Sequence, residues 1–522
     1  MPDLPVNIVG GSTFGRYKKI SDEKTINMYI SDNWLVSFAG WKKVVNFPGE
    51  SQGRALFHSV RGNLMIAVIG NSVFRIDSDL TYKFLGGLSG TSSKVYIDEN
   101  LNNQICIVDG VEAYIYNWST DSALTAQNIS STYSYTPQYV SYHNTFFLIS
   151  GDRTDTNPQN WYVFQRSTDT TITQVSSEAG GLFPLETKPD FVVGVHRLPG
   201  RSNNILVLGS SVCEVWNQVG GTQNYRRNSS FNIDSGCASR ETIAASENFI
   251  CWLGQNEENT RTIMMTDGAD VKNLSTDGID NLLSSVENVS DSTGFFFRQD
   301  GHLFYQLTFY NETDPFTLVY DFNTSQFSYL TDASLSNHPA RQSAFFNDKL
   351  YFISIADGDL YETSTDIVQQ IDTIGATEGE LIPRIRICKT IRSANSEPFR
   401  INEFSFIMEQ GVNDFYNMPL TVFGQVVDEN DNPVVSEGGA LVLSEDGYIV
   451  QPGDAPKVEM AISKNGCATF SNSISRDLNH QGKFRNRISW HRLGQANEIT
   501  VMLRFYGLQR FVASNGVLEV EG

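Results

Sequence analysis

Few stretches of this sequence bring together side chains that could do chemistry, and the most distinctive are two cationic strands. The first is Arg384-Ile385-Arg386-Ile387-Cys388, with Lys389 and Arg392 close behind. The second runs Lys483-Phe484-Arg485-Asn486-Arg487-Ile488-Ser489-Trp490-His491-Arg492-Leu493-Gly494. In an extended chain successive side chains alternate between faces, so Lys483, Arg485 and Arg487 share one face and Phe484, Ile488 and Trp490 the other. An arginine fork can hold a carboxylate through two parallel hydrogen bonds, which gives register as well as attraction. The chain has 59 acidic and 38 basic residues, a net charge of −21. Against that background Arg384, Arg386, Lys483, Arg485, Arg487 and Arg492 are candidates for docking an acidic protein surface. A solvated sheet face is the plain alternative. Wrapping of nucleic acid is disfavoured, because it depends on neutralising phosphates with Lys and Arg. An acidic surface repels DNA instead, which suits a conduit through which DNA slides.

Catalytic and metal motifs are wanting. There is no Gly-x-Ser-x-Gly elbow, no phosphate-cradling Gly-x-x-x-x-Gly-Lys loop and no His-Glu-x-x-His. The histidines His58, His143, His196, His302, His338, His480 and His491 never pair at metal-ligand spacing. The six cysteines (Cys106, Cys213, Cys237, Cys251, Cys388 and Cys467) include no Cys-x-x-Cys and read as buried free thiols. Asp428-Glu-Asn430-Asp-Asn432 alternates oxygen side chains as a calcium loop does. Pro433 stands where that loop needs its turning glycine, and Gly439 where it needs its glutamate, so a hairpin tip is the expectation. Ser463-Lys-Asn465-Gly466-Cys467-Ala-Thr469 looks like a degraded Asp-box, a turn whose polar residues fold back on their own backbone. A glycosidase needs two positioned carboxylates, and no pair stands out among so many. The expectation is a non-enzyme with no cofactor and no bound metal.

The elements that position these residues are strands. Aromatics make up 12% of the chain and glycine occurs 41 times, a composition suited to short strands joined by turns. Units of four short apolar strands begin near residues 54, 93, 139, 192, 242, 294 and 341. That spacing, with little helical periodicity, predicts an all-β fold: a β-propeller of six to seven four-stranded blades. The blades lack fixed Trp-Asp marks, so a WD40 array is not expected. Longer strands from Leu381 onwards predict a C-terminal β-sandwich. The expected division is N-terminal entry strands over 1–50, the propeller over 51–370 and the sandwich over 371–522. A protruding hairpin or flap is expected near 428–456, and residues 366–380 are read as the last blade strand followed by a linker. The first residues show no basic segment followed by an apolar core, so no secretory signal is expected. No apolar run is long enough to cross a bilayer.

Both ends of the sequence resemble one family. Leu4-Pro5-Val6-Asn7, Ile26-Asn27-Met28-Tyr29 and Phe47-Pro48-Gly49 are similar to the opening of the tail hub proteins of short-tailed bacteriophages. These are also called packaged-DNA stabilisation, head-completion or nozzle proteins. Ile488-Ser-Trp490-His-Arg492-Leu493-Gly494 and the closing Leu518-Glu-Val-Glu521 are similar to the end of the same family. On that resemblance Pro5, Asn7, Asn27, Pro48, Gly49, Trp490 and Gly494 are framework residues. It implies a propeller with extra β-domains, assembled as a homo-hexameric ring below portal and adaptor rings. Such a ring continues the DNA channel, retains packaged genome and carries tail fibres, spikes or a needle. Double-stranded DNA would pass through its lumen without sequence-specific binding. The implied location is the virion, with synthesis in the host bacterial cytoplasm. Two other readings remain: a propeller glycosidase, and a glycan- or receptor-binding propeller.

Overall fold

The turn residues decide where the strands stop. Asn144-Thr145, Asp300-Gly301 and Asn347-Asp348 all have positive φ at both positions, and each joins two strands through a two-residue hairpin. Such mirror-image turns match the right-handed twist of the flanking strands, which is why Asn, Asp and Gly recur there. Gly70, with φ +55°, serves the same end between Leu64–Ile69 and Ser72–Ile76. The computed structural model describes residues 3–14, 23–49, 51–91, 94–220, 223–310, 315–393, 397–409, 457–478 and 485–521, with only the backbone of Arg485 and Asn486. Lys483, Phe484, the 428–456 flap and the Asp428–Pro433 loop lie outside the described residues.

These residues form two compact units, one of Ala39–Ile382 with Thr13–Lys18, the other of Met1–Ser12, Lys19–Phe38 and Pro383–Gly522. The first is a β-propeller. Seven blades follow one another, each built on four antiparallel strands, with additional short strands in the third, fifth and seventh. Their inner strands are Gly53–Ser59, Tyr96–Glu99, Tyr139–His143, Val192–Arg197, Ala244–Ala245, Thr293–Gln299 and Ala340–Phe346. Each blade packs on the next and the seventh packs on the first, so the circle is closed. Second strands such as Leu64–Ile69 and Gln104–Val108 are buried at every residue. The cores between blades are therefore continuous and apolar.

The seventh blade differs from the sequence expectation. Its outer strand is Gly40–Val45, which pairs antiparallel with Leu360–Ser364. Gln369–Ile371, placed in the region expected to end the propeller, instead runs parallel to Gly40–Val45. The entry segment is thus not a region of its own. Its last strand closes the propeller, while its earlier strands belong to the other unit. The boundary falls at 382/383 and not at 370/371.

The second unit is a β-sandwich. One sheet runs in the order Met28–Ser31, Trp34–Ser37, Val512–Glu521, Phe399–Glu409, Arg485–Ala496, with Asp3–Val6 also paired to Val512–Glu521. The other places Lys24–Ile26, Arg384–Ile387, Glu498–Tyr506, Lys457–Ser463 and Ile474–Asp477 side by side. Both sheets give side chains to one core, which includes Val6, Met28, Phe404, Trp490, Val501 and Leu518. Trp490 is fully buried against Phe404 and Phe406, with ring centroids at 5.7 and 6.0 Å, and its indole N–H donates to the Ile474 carbonyl. The period-two reading of this strand holds: Ile488 and Trp490 are buried while Arg487 is exposed.

Candidate functional site

The six predicted docking residues do not form one surface. Arg384 and Arg386 are buried, at 2% and 0% exposure, and this corrects their assignment to an open face. Their strand lies between Lys24–Ile26 and Glu498–Tyr506, and both of its faces are covered. Arg384 donates to the carbonyls of Gln509 and Gly507, and its guanidinium lies 4.7 Å above the Phe511 ring. Burial pushes that guanidinium below its ordinary pKa. Arg386 pairs with Glu23 at 2.7 Å and donates to Gly11 O, Asn7 O and Thr25 Oγ1. A Cβ on Gly10 would come within 2.5 Å of its Nη2, so a glycine there makes room for the buried fork. Both arginines bind their own chain.

Arg487 and Arg492 are exposed. On the outer face of its sheet Arg487 Nη2 lies 3.1 Å from Glu403 Oε1, and its Nε donates to Ser405 Oγ at 2.8 Å. His491 Nδ1 is 3.3 Å from the other oxygen of the same carboxylate. Glu403, on the neighbouring strand, thus holds Arg487 and faces His491. Arg492 has φ +60°, at the point where the register with Phe399–Glu409 slips. The framework residues serve the backbone. Asn27, with φ +59°, donates to the Pro383 carbonyl, and Gly49 and Gly494 hold φ of +86°. Beside Gly494 the ammonium of Lys464 donates to the carbonyls of Leu493 and Gln495. Asn7 supplies a carbonyl to Arg386, while Pro5 and Pro48 are exposed. The Ser463 turn folds back as read: Cys467 N–H donates to Ser463 Oγ and Thr469 N–H to Asn465 Oδ1.

The propeller holds the feature that the motif search missed. The inner strands surround an axial cavity of about 820 Å³, with Tyr96, Asp98, Tyr139, His196, Phe296 and Gln342 in its wall. Contacts among charged residues cross the axis beside it. Glu241, from the fifth blade, sits 2.5 Å from Arg341 Nη2 of the seventh. The same side chain accepts from Lys94 N–H at 2.9 Å, and its carbonyl accepts from Lys94 Nζ at 3.1 Å. Arg54, fully buried, donates to the carbonyls of Gly70, Gly90 and Asp109. Burial pushes the Lys94 ammonium down to about 8, with Glu241 opposing the shift and Arg341 adding to it. The signal lay in plain view. A charged residue stands at or just before the inner strand of four blades, at 54, 94, 241 and 341.

Nucleophiles and metal ligands do not converge. Among the described residues no group of three His, Cys, Asp or Glu could hold a metal ion. Cys106, Cys213, Cys237, Cys251 and Cys388 are buried and free; burial pushes their thiols well above the ordinary value. His338 is buried against Trp41, and burial pushes its imidazole down to about 3.

The family profile described as "Bacteriophage P22 Gp10, beta-propeller" matches residues 23–367, a span that includes every blade and the closing strand. The chain belongs to that family. It is a structural β-propeller protein of a bacteriophage, and its place is the virion. No curated protein matches the sequence. Among solved structures, a streptogramin B lyase shares 10% identity at a TM-score of 0.40, covering 64% of this chain and 99% of that one. The WD40 domain of Neurospora crassa Pan2 shares 8% identity at 0.39, covering 66% and 99%. The extracellular domain of the putative one component system BT4673 from B. thetaiotaomicron shares 8% at 0.40, covering 64% of this chain. The chain spans only 41% of that domain's length.

Proposed function

We propose that this chain is a tail hub, or nozzle, subunit. Six copies form a ring below the portal and adaptor rings, continue the DNA channel, retain the packaged genome and anchor fibres, spikes or a needle. The observation that carries this reading is the family match, which spans residues 23–367. The charge pattern supports it. An acidic chain repels DNA and lets it slide, whereas the propeller axis is crossed by contacts among Lys94, Glu241 and Arg341. In this reading DNA runs past the propellers, in the lumen of the ring, and not down any propeller axis. No catalytic step is assigned to the protein, and synthesis in the host cytoplasm belongs to the same reading.

Native mass spectrometry of the protein with its portal and adaptor neighbours tests it. A six-fold mass is expected, since a head-to-tail interface closes into a ring. A protein that stays monomeric beside its neighbours would overturn the hub reading. Lys483, Arg485, Arg487 and Arg492 remain the candidates for contacts between subunits or with the adaptor. Arg487→Glu is expected to reduce ring assembly; unchanged assembly would remove this strand from the interface.

A further inference from the structure

The charged residues in the wall of the axial cavity are close to matched: Lys94, Arg197 and Arg201 against Asp98 and Glu247. Four of the five are engaged by the chain itself. Lys94 Nζ donates to the Glu241 carbonyl, and Arg201 Nε to that of Asp267. Asp98 accepts the N–H groups of Glu99 and Tyr142, and Glu247 lies 3.4 Å from Arg298. The wall therefore presents no strong field of either sign. What it leaves open is neutral and polar.

Three such groups come from three blades. The hydroxyl of Tyr139 has no hydrogen-bond partner among the described residues, and it is not sealed from solvent as those of Tyr96 and Tyr135 are. His196 Nδ1–H donates to the Arg197 carbonyl at 2.7 Å, so Nε2 of the neutral ring keeps its lone pair as an acceptor. Burial holds that ring neutral, its pKa pushed down to about 4. Gln342 Oε1 accepts the Leu56 N–H at 3.3 Å, which leaves its NH2 group to donate. The Tyr139 and His196 rings stand edge to face, with centroids 6.4 Å apart. A donor beside an acceptor is what an alcohol matches, since one hydroxyl accepts from the first and donates to the second.

Aromatic faces accompany these groups. The Tyr96 ring lies 4.6 Å from that of Tyr139, and half-buried Phe57 and Phe296 complete the apolar part of the wall. The C–H surface of a sugar ring suits the electron-rich face of such side chains. The Glu241–Arg341 contact crosses the axis where the inner strands begin. Where they end, the wall includes the exposed hairpin residues Asn144, Gly200 and Glu247, which mark an entrance. At about 820 Å³ the space falls within the range of small-molecule pockets.

We propose that the axial cavity binds a neutral sugar ring, its hydroxyls on Tyr139, His196 and Gln342 and its C–H surface on the aromatic wall. The site does not depend on how copies assemble. Calorimetric titration of the purified full-length protein tests it with glucose, galactose, mannose and N-acetylglucosamine, and with glucuronate as the charged counterpart. The expected result is saturable binding of at least one neutral sugar, with glucuronate bound no more tightly than glucose. Tyr139→Phe removes one oxygen from the wall. It should melt at the wild-type temperature and weaken the binding about fivefold. The proposal fails if no neutral sugar binds, if glucuronate alone binds, or if Tyr139→Phe binds as tightly as the wild type. The first result would mean that ordered water completes the three open groups.

Discussion

The propeller and the sandwich both bury arginine, and they satisfy it differently. In the sandwich each guanidinium is answered locally: Arg384 by two carbonyls and a ring face, Arg386 by Glu23, a hydroxyl and two carbonyls. In the propeller Arg54 is likewise met by three carbonyls, but Arg341 depends on a shared group. The Glu241 carboxylate takes Arg341 and the Lys94 N–H, and the Glu241 carbonyl takes the Lys94 ammonium, so three blades are tied together. A local strut fixes two neighbouring segments. A shared one ties across a closed circle, and loss of its carboxylate strands both the Arg341 cation and the Lys94 N–H.

That contrast can be broken most severely at Glu241. Glu241→Ala leaves the buried Arg341 guanidinium and the Lys94 N–H without their acceptor and should cost the propeller at the upper end of the roughly 3–5 kcal/mol seen when a buried pair is cut. Urea unfolding followed in the wild type and the variant would measure it; a loss below about 1 kcal/mol would show that the cluster is solvated. Arg386→Ala should lie at the lower end of the same range of about 3–5 kcal/mol, because Glu23 is partly exposed and can regain water. Its effect should appear in the sandwich core, read from the fluorescence of Trp490.

Acid should separate the two units next. His338 is buried in the propeller, where its Nδ1 accepts the Ala340 N–H, and its pKa is pushed down to about 3. The unfolded chain takes up that proton near 6.5, so between about 6.5 and 3 the unfolded state binds more protons. Stability is therefore full above 6.5 and falls as the pH drops, by about 3 kcal/mol at pH 4. Calorimetry across that range should show loss at acid pH, and His338→Phe should lessen it, leaving the share due to His196, whose imidazole is pushed down to about 4 by burial. The smallest effect belongs to the sandwich surface. Arg487→Ala removes an ion pair whose arginine side chain is 60% exposed, and chemical denaturation should register less than about 1 kcal/mol.

The same contrast explains what the sequence could disclose. The propeller was readable because each blade is a run of local hairpins, and the turns at Gly70, Asn144 and Asn347 declare themselves by residue type. The strand that completes the seventh blade was not readable. Gly40–Val45 pairs with Leu360–Ser364, and nothing in either short stretch names a partner so far away. Alternation placed Trp490 and Ile488 inward correctly, yet it misplaced Arg384 and Arg386. Period two tells which residues share a face and not whether that face is covered. The axial cluster escaped for another reason: charged residues were weighed as a total and not by their position ahead of each inner strand.

The closing strand has a consequence for synthesis. Gly40–Val45 leaves the ribosome long before Leu360–Ser364 exists, so it must wait unpaired while six blades form behind it. During that interval it is a template for pairing with another chain, and so is the bare edge of the seventh blade from the moment that edge is made until the two meet. Two nascent copies at high local concentration can therefore exchange this strand, each completing its neighbour's circle. A closed monomer forms only where the chain's own strand wins that race.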